Sequence, residues 1–428
     1  MTIFRSALRA ADALALASGY LRVPLSADRL IETARRRSRR DDFGETDIAE
    51  PLRRLLQSTH TEASLSLVGR LALRWDVLRF LTNLLDLAAA ERRSPEITRE
   101  PIERPLFIAG LPRSGTTFLH QLMMCDPANR APLVWETIYP YPDPHDAQAR
   151  DRRADRVAGQ LRTFERLAPD FRGLHQISAV SPQECTEILA HSFRSLRFDT
   201  TYRIPSYRTW LETDAENHLP AYRLHKRFLQ HLQHLQHQTG PSPRDQRWVL
   251  KCPDHLFALD ALAATYPDAR LVFVHRDPVK VLLSVARLTE VLRRPFTRRI
   301  DRLEIGRQES ARWLEGAERM IAAAGPICHV HYLDLIADPA RTVGAVYRHF
   351  GLPFSPSTSA AITRFAAERP NGGYAPHHYR FADHDLDAEA EREKFRPYLT
   401  HFNVIPELSH RPSEARPGDA VPWIPAKG

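Results

Sequence analysis

The segment LFIAGLPRSGTTFLHQLMM, Leu106 to Met124, constrains the fold more than any other stretch of the chain. Its first five residues read as a short buried strand, its glycines at 110 and 115 permit a tight turn, and the amphipathic run that follows reads as a helix. From Gly110 to Thr117 the turn keeps the glycine spacing of the phosphate loop G-x-x-x-x-G-K-[ST], but Thr116 stands where the lysine belongs. Such a loop binds anions because backbone N–H groups converge at a helix N-terminus. Without the lysine, triphosphate and Mg²⁺ chemistry is disfavoured. No apolar strand ends in an obvious Mg²⁺-holding aspartate; LDL at 333–335 comes nearest. Arg113 supplies a cation from inside the loop, and its planar fork suits a tetrahedral oxyanion.

Other apolar runs repeat the pattern. WVLK (248–251), LVFVH (271–275) and ICHVHYLDL (327–335) read as buried strands, and helical patterns occupy 114–125, 255–265, 278–292 and 339–350. Strands alternating with helices predict an α/β fold, a P-loop-like parallel sheet flanked by helices, with ligands bound at the carboxyl ends of the strands. Residues 1–100 form an N-terminal helical region in this reading, with apolar positions at steps of three and four up to the prolines at 95, 101 and 105. The α/β domain spans 101–408, interrupted by a helical insertion at about 140–247 that opens on YPYPDPHD. A polar, Pro-rich tail fills 409–428, and there is no internal repeat.

Net charge is +8, yet basic residues are scattered among acids and no base-reading module is visible. The balance suits an anionic small molecule rather than nucleic acid. The four cysteines form no C-x-x-C pair, which favours a reducing cytoplasm over disulfides or zinc. The first 25 residues read as an amphipathic helix. Arg5, Arg9 and Asp12 interrupt it as a leader, and no run is long enough to span a membrane. His231, His234 and His237 fan across a helix packed by Phe228, Leu232 and Leu235, so a metal is not expected there.

The strand LVFVH runs into His275-Arg276-Asp277-Pro278, with Pro278 opening a helix. Ser284 lies two turns along it, so Arg276 and Ser284 can meet one further phosphate. With PRSGTT, this R-x₇-S spacing and the stretches VWETIYPYP, SPQECTEIL, LHKRFLQHLQ, WVLKCPDHLFALDAL and HYLDLIADP, the chain resembles the bacterial sulfotransferases of the family-3 type. Its loop is similar to that of tyrosylprotein sulfotransferases. The resemblance implies transfer of a sulfuryl group from 3′-phosphoadenosine-5′-phosphosulfate (PAPS) to a phenol, alcohol, lipid or sugar hydroxyl, without metal. It implies a donor site of Arg113, Ser114, Gly115, Thr116, Thr117, Arg276, Ser284 and Tyr332, with Arg380 as a further cation. Lys251 would contact the bridging or sulfuryl oxygens. For the general base it points to Glu136 in LVWETIYP, 23 residues after Arg113; His255 and Glu184 are alternatives, although Ser181-x-x-Glu184 reads first as a capping box, which makes capping the expected job of Glu184. A P-loop kinase or hydrolase, and a non-catalytic nucleotide-binding protein, are the competing readings. Acceptor identity and oligomeric state are not encoded legibly.

Overall fold

The computed structural model describes residues 2–142, 149–174, 177–213, 217–239, 246–369 and 381–407. Arg380 and the tail from 409 lie outside them. The chain begins with helices α1 (Thr2–Ala17), α2 (Ala27–Ser38), α3 (Ala49–Glu62) and α4 (Leu67–Arg93). Strand β1 (Leu106–Gly110) then leads into α5 (Thr116–Met123), β2 (Asn129–Arg130) and α6 (Val134–Ile138). Helices α7 (Ala149–Leu167), α8 (Phe171–Leu174), α9 (Cys185–Leu189), α10 (Arg197–Thr201), α11 (Pro205–Thr213) and α12 (Leu219–Thr239) follow. The alternation resumes with β3 (Arg247–Lys251), α13 (Leu259–Thr265), β4 (Arg270–His275), α14 (Pro278–Arg293), α15 (Arg302–Ala322), β5 (Ile327–His331), α16 (Tyr332–Ala337) and α17 (Pro339–His349). The chain continues with α18 (Pro356–Ala367), α19 (Ala388–Lys394) and α20 (Arg396–His401).

The sheet is parallel, in the order β2-β3-β1-β4-β5. Successive residues of a strand point to opposite faces, and here both faces are covered. Leu106 and Ile108 join a core with Val249, Val272 and residues of α5 and α17, whereas Phe107 and Ala109 join a second core with Leu250, Phe273 and α12. Burial on both sides explains why β1, β3 and β4 read as unbroken apolar runs instead of alternating ones.

Two elements depart from the expected boundaries. The fourth strand ends at His331, and Tyr332–Ala337 is a helix. His331 pairs with His275, the last residue of β4, so no ladder partner exists beyond it. The helix expected over 255–265 is split into a 3₁₀ turn, Pro253–Phe257, and α13, with Ala258 in a non-helical conformation between them.

Helix α12 is a core element: Phe228, Leu229 and Leu232 pack in the cluster that contains Phe107. Its histidines tie it to the segment before β1. His231 bonds Glu91, while His234 and His237 both face Glu100. Helix α4 meets the turn that follows α14 very closely. An ideal Cβ on Gly69 would lie 2.0 Å from the Phe296 carbonyl oxygen, so only glycine allows the approach. Gly69→Ala should therefore cost about 1–3 kcal/mol of stability, read as a fall in the denaturation midpoint. Gly159→Ala in α7 is the control: its Cβ would meet only the Arg162 guanidinium, at 3.7 Å, and should be neutral or stabilising.

Candidate active site

The phosphate loop is built by a close approach of two strands. Gly110 ends β1 at φ +145°, where a Cβ would lie 2.5 Å from the Val274 carbonyl oxygen of β4. The chain then turns through Arg113 at φ +62° and Gly115 at φ +98° before α5 begins. The left-handed conformation at Arg113 is strained for a side-chain-bearing residue and is held by its surroundings. Its carbonyl accepts from Arg276 Nη1 at 2.9 Å, its Nε donates to Ser284 Oγ at 2.9 Å, and its Nη1 donates to the Leu174 carbonyl at 2.9 Å. Asp277 accepts from Val279 N at 3.0 Å and so caps α14, the helix that carries Ser284.

Tyr332 closes the other side of the loop. Its ring would lie 2.8 Å from a Cβ on Gly115, and it stacks on the Arg276 guanidinium at 3.8 Å. Ser114 is fully buried, with its Oγ left without a hydrogen-bond partner beneath the loop. The first-turn N–H groups of α5, at Thr116 and Thr117, have no acceptor within the helix.

Lys251 ends β3 beside this loop. It is 2% exposed, donates to Thr117 Oγ1 at 3.1 Å and forms an ion pair with Glu184. His120, packed behind the loop, bonds the Val249 carbonyl oxygen through Nε2 at 3.0 Å. Burial, and then the Lys251 charge, push the imidazole down to about 3, so Lys251 has no second cation there. Asp254 follows three residues later, bonded to Arg312 Nη2 at 3.1 Å and Thr186 Oγ1 at 3.4 Å. Burial pushes its carboxyl up; Arg312 opposes the shift.

A cavity of about 2120 Å³ opens beside the loop. Arg113, Gly115, Thr116, Thr117, Arg276, Ser284 and Tyr332 line it, together with Glu184 and Asp254. One wall is apolar. Leu288 and Leu292 continue the face of α14 that begins at Ser284, and Leu161, Phe164 and Leu167 of α7 join them, with Phe171 beyond. Another wall carries a buried ion network. Arg79 Nη2 bonds Asp76 at 2.9 Å and Glu187 at 2.6 Å, and Arg197 bonds the same two carboxylates at 3.0 and 3.2 Å.

Two residues expected at the site stand elsewhere. Glu136, on the first turn of α6, accepts the Leu133 N–H at 2.8 Å and so serves the helix start. His255 is completely buried, with Nδ1 2.5 Å from the Tyr222 hydroxyl and its ring edge-on to Phe107. Burial first, then the His225 and Lys251 charges, drive its pKa well down. Neither is among the described residues that line the cavity, and nor are Lys251 and Ser114, which stand directly behind the loop. The reverse holds for Glu184. Ser181 turns its hydroxyl to the Ser178 backbone, and the Glu184 side chain, instead of capping α9, reaches Lys251. Asp254, Arg312 and the Asp76–Arg197 network escaped the sequence reading. K-x-x-D between Lys251 and Asp254 was the only available signal, and the network joins residues more than a hundred positions apart.

Residues 105–356 match the Sulfotransferase family, and the chain belongs to it. Among curated proteins it is similar to the omega-hydroxy-beta-dihydromenaquinone-9 sulfotransferase Stf3 of Mycobacterium bovis and of Mycobacterium tuberculosis. It is 26% identical to each over 265 residues, covering 58% of this chain and 63% of the relative. The match thus spans less than two thirds of those relatives' length. Among solved structures, the sulfotransferase STF1 from M. tuberculosis is 32% identical, with a TM-score of 0.75 over 88% of this chain and 100% of that one. STF9 from Mycobacterium avium is 26% identical, with a TM-score of 0.78 over 89% and 98%.

The placement of Glu136 is testable without turnover. Glu136→Ala should lower stability by about 0.5–2 kcal/mol, measured by chemical denaturation, while calorimetry should find the binding of 3′-phosphoadenosine-5′-phosphate unchanged.

Proposed function

We propose that the protein transfers a sulfuryl group from PAPS to a hydroxyl group on an acceptor with a large apolar body. The observation that carries this is the phosphate loop with Arg113 in place of the lysine, joined through Arg113 itself to Arg276 and Ser284. The residues present fit the donor. Ser114 Oγ is buried without a partner, and a second cation-plus-hydroxyl pair, Arg276 and Ser284, stands beside Arg113.

When bound, PAPS supplies the sulfuryl group and leaves as 3′-phosphoadenosine-5′-phosphate. The α5 N–H groups, the Thr116 and Thr117 hydroxyls and the Arg113 fork hold the 5′ end. Arg276 and Ser284 would hold the 3′-phosphate, and Tyr332 would face the base. Lys251 offers positive charge to the sulfuryl oxygens, a fixed charge placed in advance where negative charge grows. Glu184, its partner, receives the proton of the acceptor hydroxyl. No metal is assigned a role in this reading, because Arg113 and Lys251 supply the charge.

The acceptor reading is supported by the apolar wall of α7 and α14 and by size. Ligand pockets are commonly about 300–1,000 Å³, and this cavity, at about 2120 Å³, can hold a nucleotide and a second molecule together. The Stf3 relatives carry a lipid acceptor in their name, which agrees. Four free cysteines suit a reducing compartment, the cytoplasm. Among the described residues no helix is long and apolar enough to cross a membrane.

Two experiments test this reading. In thermal shift, 3′-phosphoadenosine-5′-phosphate without Mg²⁺ should stabilise the protein and ATP with Mg²⁺ should not; the opposite result would favour a kinase or hydrolase. With PAPS and long-chain alcohols, Glu184→Gln should lower kcat by roughly 10²–10⁴ while donor binding persists. A strongly acidic phenol, already ionised, should rescue most of the loss. Glu136→Gln and His255→Ala are the comparison variants, and a loss with the same acceptor dependence in either would move the base there.

A further inference from the structure

Arg276 is already engaged by an anion from its own chain. Glu407 grips the guanidinium along one edge: Nε to Oε1 at 2.7 Å and Nη2 to Oε2 at 3.0 Å. That edge presents the parallel donors with which an arginine takes a carboxylate or a phosphate. The remaining nitrogen, Nη1, is turned to the Arg113 carbonyl, and the planar face is covered by Tyr332. Both Arg276 and Glu407 line the cavity, and both side chains keep partial exposure, 21% and 17%.

The backbone that delivers Glu407 is fixed separately from its carboxylate. The Glu407 N–H donates to Asp277 Oδ2 at 2.8 Å, and Val404 is buried three residues earlier. Asp277 is itself the cap of α14 and faces Arg392 at 3.5 Å. The side chain can therefore turn away from Arg276 while the segment stays attached.

We propose that Glu407 sets the affinity of the donor site, as a built-in competitor for the place of the nucleotide's 3′-phosphate on Arg276. This rests on the assignment of Arg276 to that phosphate. A phosphate and a carboxylate cannot share one edge of a guanidinium without like-charge repulsion. Binding is then an exchange of anions, and the gain is the difference between two ion pairs instead of one whole pair. The departing 3′-phosphoadenosine-5′-phosphate carries the same 3′-phosphate as the donor, so the same competition hastens its release. Between turnovers the carboxylate keeps a half-buried, ring-stacked cation paired, which would otherwise be costly.

The test compares two nucleotides on full-length protein by calorimetry. 3′-Phosphoadenosine-5′-phosphate carries the contested group and adenosine 5′-phosphate lacks it. Glu407→Gln should bind the first about tenfold more tightly, bind the second as the parent does, and show correspondingly stronger product inhibition. In an Arg276→Ala background the gain should vanish. A purely structural role would shift both nucleotides together and would not depend on Arg276. Equal affinity of parent and Glu407→Gln for the bisphosphate overturns the competition, and weaker binding by the variant overturns it too, making Glu407 a positioning residue for Arg276. Thermal denaturation of Glu407→Gln and of Glu407→Asp, which keeps the charge but shortens the reach, separates loss of fold from loss of competition. If the parent and the variants all show no preference for the 3′-phosphorylated nucleotide, the donor-site assignment itself fails, a result distinct from the others.

Discussion

β1 pairs with β3 on one side and β4 on the other, and its register sets the height at which every functional group emerges. Ile108 stands opposite Lys251, and Gly110 opposite Val274, one residue short of the end of β4. Because β1 is the middle strand, buried on both faces, it cannot slip by one residue without exchanging two complete cores. The lysine at the end of β3, the loop after β1 and the arginine after β4 thus arrive at one sheet edge as a consequence of core packing. The glycine at 110 is the other half of this constraint, since any side chain there would meet the β4 carbonyl and part the strands.

The cavity wall farther from the loop obeys different physics. Asp76 and Arg79 of α4, Glu187 of α9 and Arg197 of α10 are joined in one network, and side-chain burial of Asp76, Arg79 and Glu187 is nearly complete. Such groups gain little net stability over an apolar replacement, but leaving one unpaired costs several kcal/mol, roughly 3–5. The network therefore acts as a register device. It admits one seating of α4 against α9 and α10, and it binds the N-terminal helices to a wall of the cavity. Gly69 against Phe296 does the same by shape.

What the sequence made legible follows from how local each cause is. The strands β1, β3 and β4 could be read because burial on both faces leaves an apolar run with no exceptions. The end of β5 could not, because it depends on where β4 stops. The loop could be read because its glycines answer to local backbone geometry. The contacts of Glu136 and Glu184 could not. Both stand at helix starts, and which of them caps depends on whether a distant lysine is there to draw the carboxylate away: Lys251 lies 67 residues beyond Glu184. Glu407 and Arg276, 131 positions apart, left no trace in spacing at all. His255 was legible as a histidine near a strand end but not as a core residue, since only the fold brings Tyr222 and Phe107 around it.

These contacts form a closed circuit around the loop. Arg113 is held in a left-handed conformation by Arg276, which donates to its carbonyl. Arg276 is held by Tyr332 on its face and Glu407 on its edge, and Tyr332 fills the space that Gly115 leaves, two residues after Arg113. Each member is fixed by the next, so the loop's donors are oriented without help from a ligand. Orientation in advance is what lets a few fixed charges and N–H groups stabilise a transferring group, because no reorganisation is left for the moment of reaction. The same circuit supports the proposal that an arginine does here what a lysine does in other phosphate loops. A lysine reaches its target on a long flexible stem and need not be part of the scaffold. Arg113 is part of it, joined through Ser284 and Leu174 to α14 and α8, so its charge and the wall of the cavity move together.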